Sequence, residues 1–130
     1  MKNILICFSA GCLGALANSL TVWLFGDLGI SRQLGVLIAP HLSAAWLYPR
    51  IVWGGIWGFL FLLPLLRSKP LIQGAVLSLA PTAMQLFYVF PIVAHKGVGG
   101  VDLGLLTPLL VVFFNWVWGV VAAFAIKLSK

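Results

Sequence analysis

Charge is scarce in this chain. Its 130 residues carry eight Lys or Arg and two Asp or Glu, 8% in all, against 62% hydrophobic residues, whereas a soluble domain is about a quarter charged. Ten charged side chains neither coat a water-soluble globule of 14.0 kDa nor keep a disordered chain solvated, so both classes are excluded. Catalytic, cofactor and nucleotide motifs are missing too, and no nucleophile stands beside a base, so neither an enzyme nor a bound cofactor is expected. Cysteine is limited to Cys7 and Cys12. Five residues apart on one helix, they point more than about 90° apart, which suits small packing residues better than a disulfide or metal pair. The net charge of +6 would suggest nucleic acid only if the basic residues were gathered on one patch, and they are scattered.

What the chain has is long apolar runs. A bilayer core needs about 20 helical residues, and four runs qualify: residues 3–25, 49–66, 70–94 and 103–126. The expected architecture is one all-α domain over residues 1–130, with four transmembrane helices. The first run is too long for the apolar core of a signal peptide and is expected to stay as a helix. With the N-terminus inside, Lys2, Arg67, Lys69, Lys127 and Lys130 fall on the cytoplasmic side, and Arg32, Arg50 and Lys96 outside with Asp27 and Asp102. Five basic residues against three place both termini in the cytoplasm.

The connections differ. Residues 67–70, Arg-Ser-Lys-Pro, form a tight turn with proline opening the next helix, making helices two and three a hairpin. Residues 95–102 contain Gly97, Gly99 and Gly100 and read as a flexible outer turn. Residues 26–48 are too apolar for a loop and too short to span. They are expected to form two short helices broken at Pro40, interfacial or re-entrant, with Trp46 and Tyr48 at headgroup depth.

In lipid, small and polar residues mark the packed face of a helix. At 100° per residue Cys7, Gly11, Gly14, Ala15, Asn18 and Thr21 share one side of helix one, opposite Leu13, Leu16, Leu20 and Trp23. Helix two offers Gly54, Gly55 and Gly58 in a G-x-x-x-G spacing. Helix three carries Gly74, Ser78, Pro81, Thr82, Gln85 and Tyr88 in one stripe, and helix four Gly104, Pro108, Asn115, Gly119 and Ala122. Gly11, Gly14, Gly54, Gly58 and Gly119 are therefore the expected packing residues. Asn18, Thr82, Gln85 and Asn115 form an expected intramembrane polar layer. The amides either join helices or line a solute path, and with Arg50 counted on the outer side, at the edge of its run, no ionisable residue is placed deep inside a span and the first is favoured. Pro81, Pro91 and Pro108 are read as kinks, and Trp116 and Trp118 as packing beside Asn115. His41 and His95 fall on the outer side with only the two Asp as possible co-ligands, so no metal is expected; His41 steadies the apolar loop and His95 is solvated.

Two resemblances follow from these motifs. The segment Ala10-Gly11-Cys12-Leu13-Gly14-Ala15-Leu16 resembles the first helix of the small fluoride channels, which are four-helix proteins of this length. An arginine at the position of Asn18, a G-T-x-x-x-N segment in helix two and a Phe-Ser-Thr break in helix three are absent. Trp53-Gly54-Gly55-Ile56-Trp57-Gly58-Phe59, with Gly74, Pro91, the glycine turn and Asn115-Trp116-Val117-Trp118-Gly119, is similar to uncharacterised bacterial membrane proteins of the YagU-like kind. That resemblance implies a multi-pass protein of a bacterial inner membrane and no particular activity. The expected function is a helix-packing role in the lipid bilayer, as a homo-oligomer or as an accessory subunit beside other membrane proteins, with no nucleic acid bound. The alternative is a small dimeric channel or transporter for a small solute or ion.

Overall fold

The computed structural model describes residues 2–36, 38, 40, 42–63 and 68–129. They are helical, with no strand among them: α1 (Lys2–Asp27), α2 (Ile30–Gln33), α3 (Ala44–Trp57), α4 (Pro70–Met84) and α5 (Thr107–Leu128). A 3-10 turn, Gly58–Leu62, prolongs α3, a π-helical segment, Gln85–Val93, prolongs α4, and a 3-10 turn, Val98–Leu103, precedes α5. Three helices are long and apolar enough to cross a membrane: Asn3–Asp27, Pro70–Val93 and Thr107–Leu128.

The second helix differs from its expected start at Pro49. Ser43 is extended and its hydroxyl accepts from the Trp46 amide at 3.3 Å, so α3 begins at Ala44 and Pro49 lies inside it. A serine cap outweighs the preference of proline for the first turn. Tyr48 and Trp46 thereby join α3, and Arg50 moves from the outer loop into a helix interior. At its other end the 3-10 turn stops at Leu62 and Leu63 is extended; the remainder of the expected span, with Arg67, lies outside the described residues.

α1 and α5 form the central pair, with α3 packed on α1 and α4 on α5. α3 and α4 lack the extensive contact of a helical hairpin, so the expected pairing of helices two and three is corrected. The α1·α3 contact is backbone on backbone. A Cβ on Gly11 would collide with the Gly54 carbonyl oxygen and lie 2.9 Å from Gly58 Cα, and a Cβ on Gly58 would collide with the Cys7 carbonyl oxygen. At α4·α5, a Cβ on Gly74 would fall 2.6 Å from the Gly119 carbonyl carbon. Trp118 lies over Gly14, and its indole N–H donates to the carbonyls of Gly11 at 3.1 Å and Gly54 at 3.3 Å. Three helices are thus tied at one point.

On α1, Cys7, Gly11, Gly14, Ala15 and Asn18 are buried, and Leu13 and Leu20 are exposed. Thr21 is half-buried and donates to its own helix, at Ala17 O. On α4 the stripe runs through Gly74, Ser78, Thr82 and Gln85 and then turns. Tyr88 is exposed and Phe90 is buried, because i→i+5 bonding adds a residue to each turn and advances the inward position. Pro108 is no kink: it sits in the first turn of α5, where its missing N–H costs nothing.

One end of the bundle is covered by the chain between α1 and α3. The described residues of 26–48 hold the one-turn α2 and then non-helical positions, among them Val36, buried against Val22, Leu110 and Phe114, with Ile38 packed beside them. The two helices expected on either side of Pro40 are replaced by this cap and by the early start of α3. The glycine turn is packed as well. Gly100, at φ 71°, is buried where a Cβ would lie 2.9 Å from the Phe90 ring, a placement open to glycine alone.

Beneath this end the hydroxyls of Ser31 and Thr107 are buried without a hydrogen-bond partner among the described residues. An orphaned buried hydroxyl costs about 1–3 kcal/mol. Thr107→Val is therefore expected to raise the melting temperature in detergent, read by scanning fluorimetry; an unchanged or lower value would show that this hydroxyl is satisfied.

Candidate functional site

The inward face of α1 presents Asn18 and Ser19, both buried, toward α3, where Arg50 stands one and a half turns after the helix start. The Arg50 guanidinium donates from Nε to Ser19 Oγ at 2.9 Å and from one terminal nitrogen to Asn18 Oδ1 at 2.7 Å. Trp46, one turn before it, lies under the guanidinium with its ring centre 4.7 Å from Cζ, a cation–π contact. Asn18 in turn donates to the Phe114 carbonyl at 2.6 Å, so α1 holds Arg50 and is itself tied to α5.

Opposite stand two more amides. Asn115 donates to Thr82 Oγ1 at 3.0 Å and to Gln85 Oε1 at 3.3 Å, and Thr82 donates back to Ser78 O. Gln85 opens the π segment, a feature frequent at functional sites. At 1.5 Å per residue, Asn18, Gln85 and Asn115 all lie about 4–5 Å from their helix midpoints, toward the end covered by Val36 and Ile38. Arg50 shares their level because it bonds to Asn18.

These groups line one cavity of about 360 Å³ with walls from α1, α3, the π segment that follows α4, and α5. Asn18, Arg50, Gln85 and Asn115 supply its polar atoms, while Val22, Phe90, Val111 and Phe114 supply apolar wall and Ile38 and Pro40 come from the chain between α2 and α3. Neither Asp27 nor Asp102 pairs with Arg50, and both are exposed. A second cavity, about 160 Å³, lies at the opposite end among Cys7, Phe61, Gln73, Ala123 and Lys127. Trp118 sits between the two levels, bonded to Gly11 and Gly54.

The structure brings Asn18, Gln85 and Asn115 to one cavity, with Thr82 behind Asn115. The helix-packing glycines Gly11, Gly14, Gly54, Gly58 and Gly119 meet other helices of this chain. His95 is exposed at the end of the π segment, in a left-handed conformation with φ 56°; His41 lies outside the described residues. Among those residues no three His, Cys, Asp or Glu gather as metal ligands. Sequence reasoning missed Arg50, Ser19, Trp46 and Phe90. Ser43 ahead of Ala-Ala-Trp was the signal that would have moved Arg50 inside a helix. No protein-family model, curated protein or solved structure matches this chain, so its function is argued from this geometry.

Proposed function

We propose that this protein is a four-span membrane protein with both termini in the cytoplasm, in a bacterial inner membrane, which binds a small polar solute in the cavity around Arg50 and passes it across the bilayer. α3 with its 3-10 extension is the fourth span. One observation carries the reading: in a bundle with few charges, an arginine, three amides and open volume lie together between the helices. A charged side chain in the bilayer core costs about 2.5 kcal/mol or more, and Arg50 has no acid beside it among the described residues. Such a group is retained for a function rather than for packing. The packing role expected from composition ranks second, because the small-residue faces are occupied within the chain and leave bulky side chains outward, as lipid requires.

With Arg50 inside a helix, the outer basic residues reduce to Arg32 and Lys96, which strengthens the charge bias for cytoplasmic termini. In a variant free of Cys7 and Cys12, cysteines at Ser68 and Ser129 are expected to resist an impermeant thiol reagent added to intact cells, and one at the exposed Val98 to react. Equal labelling at all three would mean dual insertion.

Transport is tested by swelling of proteoliposomes in isotonic urea, glycerol and ammonium acetate. At least one solute is expected to enter faster than through protein-free vesicles, and Asn115→Leu to remove most of that difference while melting near the parent. Rates equal to protein-free vesicles for every solute would remove the transport reading.

A further inference from the structure

Resting on that reading, we infer that the cavity takes a monocarboxylate, its carboxylate on Arg50 and its hydrocarbon part against Phe90, Val111 and Phe114. A guanidinium has five N–H donors. Two are used on Ser19 and Asn18, which leaves three without a protein acceptor among the described residues. They include one on each terminal nitrogen, the pair that a carboxylate meets in two parallel hydrogen bonds. The rest of the surroundings hold the fork still: Trp46 stacks on its face and Ser19 fixes its Nε side. Arg50 is thus oriented before any ligand arrives, so little rotamer freedom is lost on binding.

The charge of the ligand follows from the lining. Among the described residues that line the cavity Arg50 alone is charged, and the amides of Asn18, Gln85 and Asn115 are neutral. One negative charge neutralises it; a dianion would carry surplus charge against Val22, Val111 and Phe114, where the dielectric is low and nothing compensates it. A cationic ligand would meet Arg50 directly. The apolar wall separates a carboxylic acid from a bare inorganic ion, because it rewards a hydrocarbon body that an inorganic ion lacks. At about 360 Å³ the cavity stands near the lower end of ligand-site volumes, roughly 300–1,000 Å³, which suits a short acid or the head of a longer one.

That carboxylate has two sources, a short acid from water or a fatty acid from the bilayer. The test is binding to the purified full-length protein in a non-ionic detergent, read by thermal shift and by calorimetry, with butyrate and palmitate as the two acids and butanol and butylammonium as neutral and cationic counterparts of the short one. Butyrate is expected to stabilise saturably if the aqueous acid is the ligand, palmitate alone if the acid arrives from lipid, and butanol and butylammonium not at all. Arg50→Gln, which keeps a donor for Ser19 and Asn18, is expected to weaken binding by roughly 10- to 100-fold. The ligand comparison in the parent protein stands even if that variant fails to fold. Equal stabilisation by butanol and butyrate, or undiminished butyrate binding to folded Arg50→Gln, would overturn the assignment, as would no stabilisation by either acid. Acid binding without any solute entry into vesicles would leave the carboxylate site standing and remove the transport reading. Entry of neutral solutes with no acid binding would do the reverse.

Discussion

Leucine in place of Gly11 is expected to prevent the bundle from assembling. Gly11 faces the Gly54 carbonyl with Gly55 and Gly58 Cα atoms at about 3 Å from where its Cβ would stand, so any side chain must push α1 and α3 apart. Overpacking a core with extra methylenes typically costs 1–3 kcal/mol and occasionally more, and here the displaced atoms are backbone, which has no alternative rotamer. Separation of α1 from α3 also removes an acceptor from Trp118, whose indole bridges Gly11 and Gly54. The expected loss is on the order of 3 kcal/mol or more, seen as a collapsed monodisperse peak in size-exclusion chromatography and a lower melting temperature. Leu13→Ala on the exposed side of the same helix is the control, expected to change stability by less than about 0.5 kcal/mol. A Gly11→Leu protein that elutes and melts like the parent would mean that the two backbones do not meet as described.

That contact was readable beforehand because it follows from one rule: helices in lipid approach through small residues, and periodicity places those residues on a face. The same rule put Asn18, Gln85 and Asn115 on inward faces. Where the reading failed, a local effect had displaced the regular periodicity. The apolar run opens at Pro49, whereas the cap at Ser43 starts α3 five residues earlier, and with that shift Arg50 passes from a loop count to the centre of the site. Tyr88 was assigned inward by 100° steps, whereas the π segment carries Phe90 there instead. Pro108 was read as an internal kink and opens α5. The cavity itself depends on how four helices and the cap around Val36 and Ile38 meet, and no single-helix projection contains that information.

Trp118→Ala is expected to join the two cavities and make vesicles leak. On α5, Trp118 lies between Asn115, which lines the Arg50 cavity, and Ala123, which lines the second one; on α1 its partner Gly11 lies between Asn18 and Cys7, and along α3 and its 3-10 extension Gly54 lies between Arg50 and Phe61. It is buried at 4% exposure and packs against Phe61, ring centres 5.8 Å apart. Removing the indole deletes a bulky plug at a level where glycines on α1, α3 and α5 offer no side chain to refill the space. Truncation of a buried tryptophan costs about 3–5 kcal/mol, so the variant must first be shown to elute as a folded species. Trp118→Phe separates barrier from glue: it keeps most of the plug and loses both indole hydrogen bonds, with an expected stability loss of about 1 kcal/mol and no leak. The readout is the rate of proteoliposome swelling in isotonic urea, expected to rise in Trp118→Ala above both parent and Trp118→Phe. A folded Trp118→Ala protein whose vesicles swell no faster than the parent's would show that the two cavities are separated by more than this side chain, and the route through the bundle axis would have to be abandoned.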